Sequence, residues 1–287
     1  MTNSDLRPLS VGEILDRTFS LYRQHFVLFV GIAALPQLAI LAINLARLSL
    51  RDGRLGQGAS GPPVTVFRNY SPNDLALELI MLVAIYGLFY PLASGGLVFG
   101  VSETYFGRST TIGVSLRHSW SQLARLSVVV LVSLLAILSG LMFLVVPGVY
   151  VACRLITNVP VTFFENLGIP DTLNRSLKLT QDNAGRSFVI FALYYFLAIT
   201  ATGLLVYPFT FAATLYQHDP AAALLWRSLG QLGGNFVATL LHPVIAISAT
   251  LFYYDLRVRK EALDLQLMIN QVEGTARRTA GAGATLS

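Results

Sequence analysis

The chain has 287 residues, 54% of them hydrophobic and 12% charged, with a mean hydropathy of +0.62 and a formal net charge of +5. A soluble domain carries about a quarter charged residues, so this composition excludes a water-facing surface over most of the molecule. The basic residues lie mostly between apolar runs, which fits membrane topology and anionic lipid headgroups and speaks against nucleic acid.

In chain order, the first 25 residues carry Asp5, Arg7, Glu13, Asp16, Arg17 and Arg23 with no apolar h-region, so no cleavable signal is expected. Ser10 and Glu13 make a capping-box pattern. Val11, Ile14, Leu15, Thr18, Phe19, Tyr22 and Phe26 then recur at helical spacing, with charged residues opposite. This predicts an amphipathic helix at the cytoplasmic membrane surface within residues 1–25. A spanning helix needs about 20 mainly apolar residues, and six stretches qualify: about 26–46, 75–101, 124–146, 149–164, 187–211 and 235–254.

Between the first two spans, 49–74 reads as an external loop, Gly-, Ser- and Pro-rich at its centre. Its Gly56-Gln57-Gly58-Ala59-Ser60-Gly61 matches GxGxxG literally but lacks the strand and helix that a dinucleotide site needs. Pro147-Gly148 separates the third span from the fourth. The fourth holds Arg154, Asn158 and Pro160, and reads either as a full crossing or as a re-entrant segment. A second cytoplasmic amphipathic helix is expected over 255–273, closing a single membrane domain of 1–273 ahead of a disordered tail, 274–287.

A short pattern recurs before the first, third and fifth spans: Leu15-Asp16-Arg17-Thr18-Phe19, Leu116-Arg117-His118-Ser119-Trp120 and Leu173-Asn174-Arg175-Ser176-Leu177. It reads Leu, polar, basic or His, hydroxyl, bulky apolar. Chance and threefold duplication both account for so short a match. The expected fold is therefore all-α: a polytopic transmembrane helix bundle of about six spans arranged as three hairpins, each preceded by an interfacial amphipathic helix. Basic residues concentrate on the side of the termini, against Arg47, Arg51, Arg54, Arg68 and Arg227 on the other. The positive-inside rule then places both termini in the cytoplasm of a multi-pass cell-membrane protein.

Charges at membrane depth are costly and are either paired or functional. Arg154, Asn158, Glu103, Glu165 and His242 form the candidate intramembrane polar set, with Arg154 requiring a partner on another helix. Arg17, Arg175, Arg186 and Arg257 are candidate ligands for anionic lipid headgroups. Gly96 and Gly100 form GxxxG, a close-packing surface within the bundle or, alternatively, between copies. The histidines, His25, His118, His218 and His242, lack metal-ligand spacing, and no nucleophile motif occurs. No metal, cofactor or catalytic residue is expected. The lone Cys153 has no disulfide partner in the chain.

Three blocks carry a family resemblance: LRPLSVGEILDRTFSLYRQHF, PGVYVACRLITNVPVTFFENLGIPDTLNRSLKLTQ and LFYYDLRVRKEALDLQLM. Together they resemble the glycerophosphoryl diester phosphodiesterase membrane domain family of bacterial proteins. The resemblance implies a bacterial polytopic membrane domain, which in some relatives precedes a catalytic barrel. Such a barrel needs roughly 250 residues, whereas only 255–287 follow the last span, so its chemistry is not expected here.

Three functions stay open. The first is a non-enzymatic scaffold or accessory membrane domain that handles lipid, with the bilayer, anionic lipids, a protein partner or a second copy as its partners. The second is a transporter or lipid-translocating protein, which requires a polar cavity at mid-membrane depth lined by Arg154 and Asn158. The last is an intramembrane enzyme, which would need convergent acid–base or metal groups.

Overall fold

The computed structural model describes residues 8–50 and 79–261, with backbone only for 43–50 and 220. Its described residues hold helices and short connections, and no strand. Helix α1 (Val11–Gln24) starts on the capping box: Ser10 N–H donates to Glu13 Oε2 at 2.7 Å, and Glu13 N–H to Ser10 Oγ at 3.2 Å. It buries Ile14, Thr18 and Leu21, then turns by 90° into α2 (Phe26–Leu50).

The second span, α3, covers Leu79–Tyr105 and widens into a π-turn at Ile85–Phe89. The cause lies just beyond. Pro91 has no N–H to give to the turn before it. The Gly87 carbonyl in that turn accepts from Ser127 Oγ at 2.5 Å. Next come α4 (Ile112–Ser121), capped by Thr111, and α5 (Leu123–Phe143).

The hairpin turn after α5 sits at the extended residue Leu144, three residues earlier than the Pro-Gly pair suggests. Pro147 instead falls in the first turn of α6 (Val145–Arg154), where a missing N–H costs nothing. The same logic places Pro160 in the first turn of α7 (Asn158–Glu165). The fourth span is thus a broken one, Val145–Glu165, interrupted at 155–157.

The third hairpin follows α8 (Ile169–Leu179), whose first turn holds Pro170 and Asp171, residues that suit a helix start. It consists of α9 (Ala184–Leu205), α10 (Tyr207–Leu215) and α11 (Pro220–Glu261). At 42 residues α11 is roughly 63 Å long, about twice the hydrocarbon core. It runs without interruption through residue 255, so no separate amphipathic helix begins there. Residues 262–273, the tail and most of the 49–74 loop lie outside the described residues, although Ser49 and Leu50 still belong to α2.

Among the described residues five helices are long and apolar enough to cross a membrane, or six when the bent α1–α2 pair counts as one. They divide into two shells. In the most apolar windows of α3, α6–α7 and α11, 44%, 50% and 61% of residues are buried, against 17% in α5 and 6% in α9–α10. The second span of each hairpin is therefore inner, and in the last two hairpins the first span is outer. Apolar side chains such as Leu135, Phe196 and Ile199 cover the outer helices, as lipid contact requires.

The short helices close the ring. Each buries the hydroxyl of the recurring pattern, and each hydroxyl bonds the inner span of the preceding hairpin. Ser119 Oγ on α4 donates to the Leu92 carbonyl on α3 at 2.8 Å. Ser176 Oγ on α8 donates to the Arg154 carbonyl at 3.1 Å, beside the break in the fourth span. Thr18 on α1 lies 3.2 Å from Ser248 Oγ on α11, so the last hairpin joins the first helix. The three units thus form a closed cycle.

Glycine permits the tightest of these contacts. A Cβ on Gly95 would stand 2.4 Å from Ser119 Oγ, and one on Gly96 would stand 3.2 Å from both Ile32 on α2 and Leu116 on α4. Gly100 faces Phe29, Ile32 and Ser115 at 3.6–3.7 Å. The GxxxG surface is therefore occupied within the chain.

Candidate functional site: an axial cavity beneath an aromatic and charged end

The inner spans do not pack solidly along their common axis. They line a partly open cavity of about 240 Å³ together with α5 and Phe191 of α9. Its wall is mostly apolar, with Val98, Val130, Leu134, Ile137, Ile245 and Ala249 prominent. Five polar side chains interrupt it: Tyr90, Ser94, Ser133, Asn158 and His242.

Buried polar groups need partners, and Ser94, Ser133, Asn158 and His242 have them. Asn158 Nδ2 donates to Ser133 Oγ at 2.6 Å, and its Oδ1 accepts from the Val159 N–H at 2.7 Å at the break in the fourth span. Ser94 Oγ lies 3.4 Å from His242 Nε2, at the limit of a hydrogen bond, and the His242 ring stacks on Tyr90 at 4.8 Å. The cavity lining contains no charged residue.

Each of the three inner spans brings an aromatic pair to one side of the bundle: Tyr105-Phe106, Phe163-Phe164 and Tyr253-Tyr254. The pairs meet. Tyr105 stacks on Tyr254 at 5.9 Å, Phe164 stacks on Tyr253 at 5.8 Å, and Phe106 meets Tyr254 edge-on at 5.7 Å. Beside them opens a second cavity, a cup of about 450 Å³ walled by Phe99, Phe163, Phe164 and Tyr254, with Glu103, Arg108, His118 and Arg257 among its polar groups. His118 stacks on Phe99 at 4.4 Å, and Arg108 clasps Glu103 through two bonds of 2.8 and 2.7 Å.

Two charge knots tie this end together. Asp255, its side chain fully buried, accepts from Arg186 at 2.7 Å, from Arg259 at 3.0 Å and from the Leu9 N–H at 2.6 Å. The Leu9 carbonyl in turn accepts from both guanidiniums at 2.7 Å. In the other knot, Arg175 bridges Glu165 and Glu261, Arg257 pairs with Glu261 at 3.0 Å, and the Tyr253 hydroxyl donates to Glu165 at 2.9 Å. Burial pushes the Arg175 pKa down, but the bonds to Glu165 and Glu261 outweigh it, so the net shift is upward.

The expected polar set therefore divides. Asn158 and His242 share the axial cavity. Arg154 does not enter it: its guanidinium reaches the Leu177 carbonyl at 2.5 Å, Thr180 Oγ1 at 3.2 Å and the Tyr150 hydroxyl at 2.8 Å. It thereby caps the C-terminal end of α8, where a cation suits the unpaired carbonyls. Glu103 lines the cup, and Glu165 belongs to the second knot.

Of the four arginines expected at headgroups, Arg175, Arg186 and Arg257 are engaged by carboxylates, and Arg17 Nη1 donates to the Tyr105 hydroxyl at 2.9 Å. Sequence reasoning missed Tyr90, Ser94 and Ser133, single polar residues in apolar runs that carry no periodic signal. The aromatic pair closing each inner span was a readable signal.

Among the described residues no group of His, Cys, Asp or Glu is placed to hold a metal ion. No family model matches the chain, and neither a curated protein nor a solved structure matches it.

Proposed function

We propose that this chain is a non-enzymatic accessory protein of the cell membrane that holds the apolar part of a lipid-like amphiphile in its axial cavity. One observation carries this reading: a partly open cavity of about 240 Å³, mostly apolar, lined by all three inner spans and by α5, and marked by a few paired polar groups. An apolar cavity of roughly 150 Å³ already binds benzene-sized molecules, so this one has room for a larger hydrocarbon segment. The same polar and apolar mixture is the ordinary make-up of a small-molecule site.

Acid–base chemistry fits less well. The nearest approach to a catalytic pair is Ser94 with His242 at 3.4 Å, and the lining offers no carboxylate to orient the imidazole. The basic bias of the sequence supports cytoplasmic termini. A reporter fused after Ser287 should be active only in its cytoplasmic form.

The test of the binding role is composition. Protein extracted with its native lipids should retain an amphiphile at near one per chain by native mass spectrometry. Ser133→Trp, which fills the cavity, should release it. Equal lipid content in the two proteins overturns the reading.

Translocation is the second reading, favoured by one observation. The axial cavity and the cup lie on the same axis only one helical turn apart: Val98 lines the first and Ser102 the second, as do Ala249 and Tyr253.

A further inference from the structure

The boundary between the two cavities is unusually slight. Three inner helices each give a residue to the axial cavity and, four positions later, one to the cup: Val98 and Ser102, Val159 and Phe163, Ala249 and Tyr253. Four residues of helix rise about 6 Å. What fills that interval on the α5 side is a small buried cluster of Val98, Leu126 and Phe163, distinct from the main hydrophobic core. The main core draws on α1, α2, α3, α7 and α11 and includes Ile14, Phe29, Val101, Val161 and Phe252. On the α5 side the interval is thus closed by a plug of three side chains, with Val101, Val161 and Phe252 of the main core packed in the same helical turns.

The chemistry changes across the plug. The axial cavity has no charge in its lining. The cup has two guanidiniums, Arg108 and Arg257, one carboxylate, Glu103, and the imidazole of His118. Arg108 is committed to Glu103 through two bonds. Arg257 uses Nε on Glu261, which it shares with Arg175, and Nη1 on the Tyr253 hydroxyl. A guanidinium carries five N–H donors, so these bonds do not exhaust it. An apolar chamber one turn from a cationic, donor-rich and aromatic chamber suits a molecule with a hydrocarbon end and an anionic end.

We propose that the cup is the headgroup half of one amphiphile site whose tail half is the axial cavity, with the Val98–Leu126–Phe163 plug as the door between them. The ligand class is a single-chain amphiphile with a phosphate-type head. This rests on the binding role proposed above for the axial cavity and adds the nature of the head and its position. Arg257 is the headgroup-binding residue, and Phe163, which lines the cup and belongs to the plug, is the side chain that must move for head and tail to occupy both halves.

The experiment measures binding to the full chain in phosphatidylcholine nanodiscs with three probes: myristoyl lysophosphatidate, the uncharged monoacylglycerol of the same chain, and inorganic phosphate. Lysophosphatidate should bind about tenfold or more tighter than the monoacylglycerol, and phosphate alone should not compete at comparable concentration. Arg257→Gln should erase that preference, and Arg257→Lys should restore part of it. Phe163→Leu should raise the association rate of lysophosphatidate, with the fold of each variant verified by thermal unfolding.

Equal binding of the two lipids, with monoacylglycerol still lost in Ser133→Trp, overturns the headgroup assignment and leaves the cavity reading standing. Competition by phosphate as effective as by the lipid shows a free-anion site and also overturns it. Binding of neither lipid overturns both readings.

Discussion

The Leu9 N–H donates to Asp255 Oδ1 at 2.6 Å, joining backbone and side chain across 246 positions of the chain. Arg186 and Arg259 complete the knot by gripping both the carboxylate and the Leu9 carbonyl. A buried carboxylate is tolerated only when it is paired in this way, and removing one partner strands the others. The knot fastens the residue before α1 to the end of α11, at the point where the cycle of three units closes.

Asp255→Ala should therefore destabilise the protein by about 3–5 kcal/mol, because two guanidiniums and a backbone N–H lose their shared acceptor. Thermal unfolding in detergent measures it. The buried thiol of Cys153 gives a second readout, since its alkylation should be slow in the native chain and faster in the variant. An unchanged midpoint would show that the knot contributes nothing net.

Gly95→Val should cost about 1–3 kcal/mol, the usual penalty for overpacking. Its Cβ would meet Ser119 Oγ at 2.4 Å and Leu126 Cδ1 at 2.6 Å. Gly113→Ala is the control: nothing lies within 4 Å of that Cβ, and the change should be neutral or stabilising by up to about 1 kcal/mol. Comparison of unfolding midpoints separates the two.

Ser127 and Pro91 should be coupled. In the native chain Ser127→Ala deprives the Gly87 carbonyl of its 2.5 Å bond and should cost about 1 kcal/mol. In a Pro91→Ala background the restored N–H is available to that turn, and the same substitution should cost much less. A double-mutant cycle on unfolding free energy measures the coupling, and purely additive values would refute it.

Tyr253→Phe should loosen the second knot by about 1–2 kcal/mol, because its hydroxyl donates to Glu165 and accepts from Arg257. The Phe164 stack should persist, so the loss reports the hydrogen bonds alone. Chemical unfolding at constant lipid content measures it.

Much of the scaffold was legible in the sequence. The capping box at Ser10 and Glu13, the helix start at Pro170 and the amphipathic stripe from Val11 are local signals whose causes lie within one or two turns. Helix breaks were less so. Pro147 and Pro160 mark helix starts, and a proline in a first turn and one that ends a helix look alike until the hydrogen bonds are known. The charged residues after Tyr254 suggested a new helix, but Asp255 is buried because α9 and the segment before α1 bring partners to it, beside Arg259 of α11 itself.

The sequence by itself determined the solvent, the helical class, the approximate spans and the recurrence of a short helix with a hydroxyl before each hairpin. These follow from composition and from periods of a few residues, which the chain carries wherever it folds. Tertiary structure alone decided which spans are inner, that the three units close into a cycle, and that Ser94, Ser133, Asn158 and His242 face one cavity while Arg154 turns away. Those four residues are spread over 149 positions, from 94 to 242. Only the packing of inner spans against one another, held by buried hydroxyls and the Asp255 knot, brings them to a common axis.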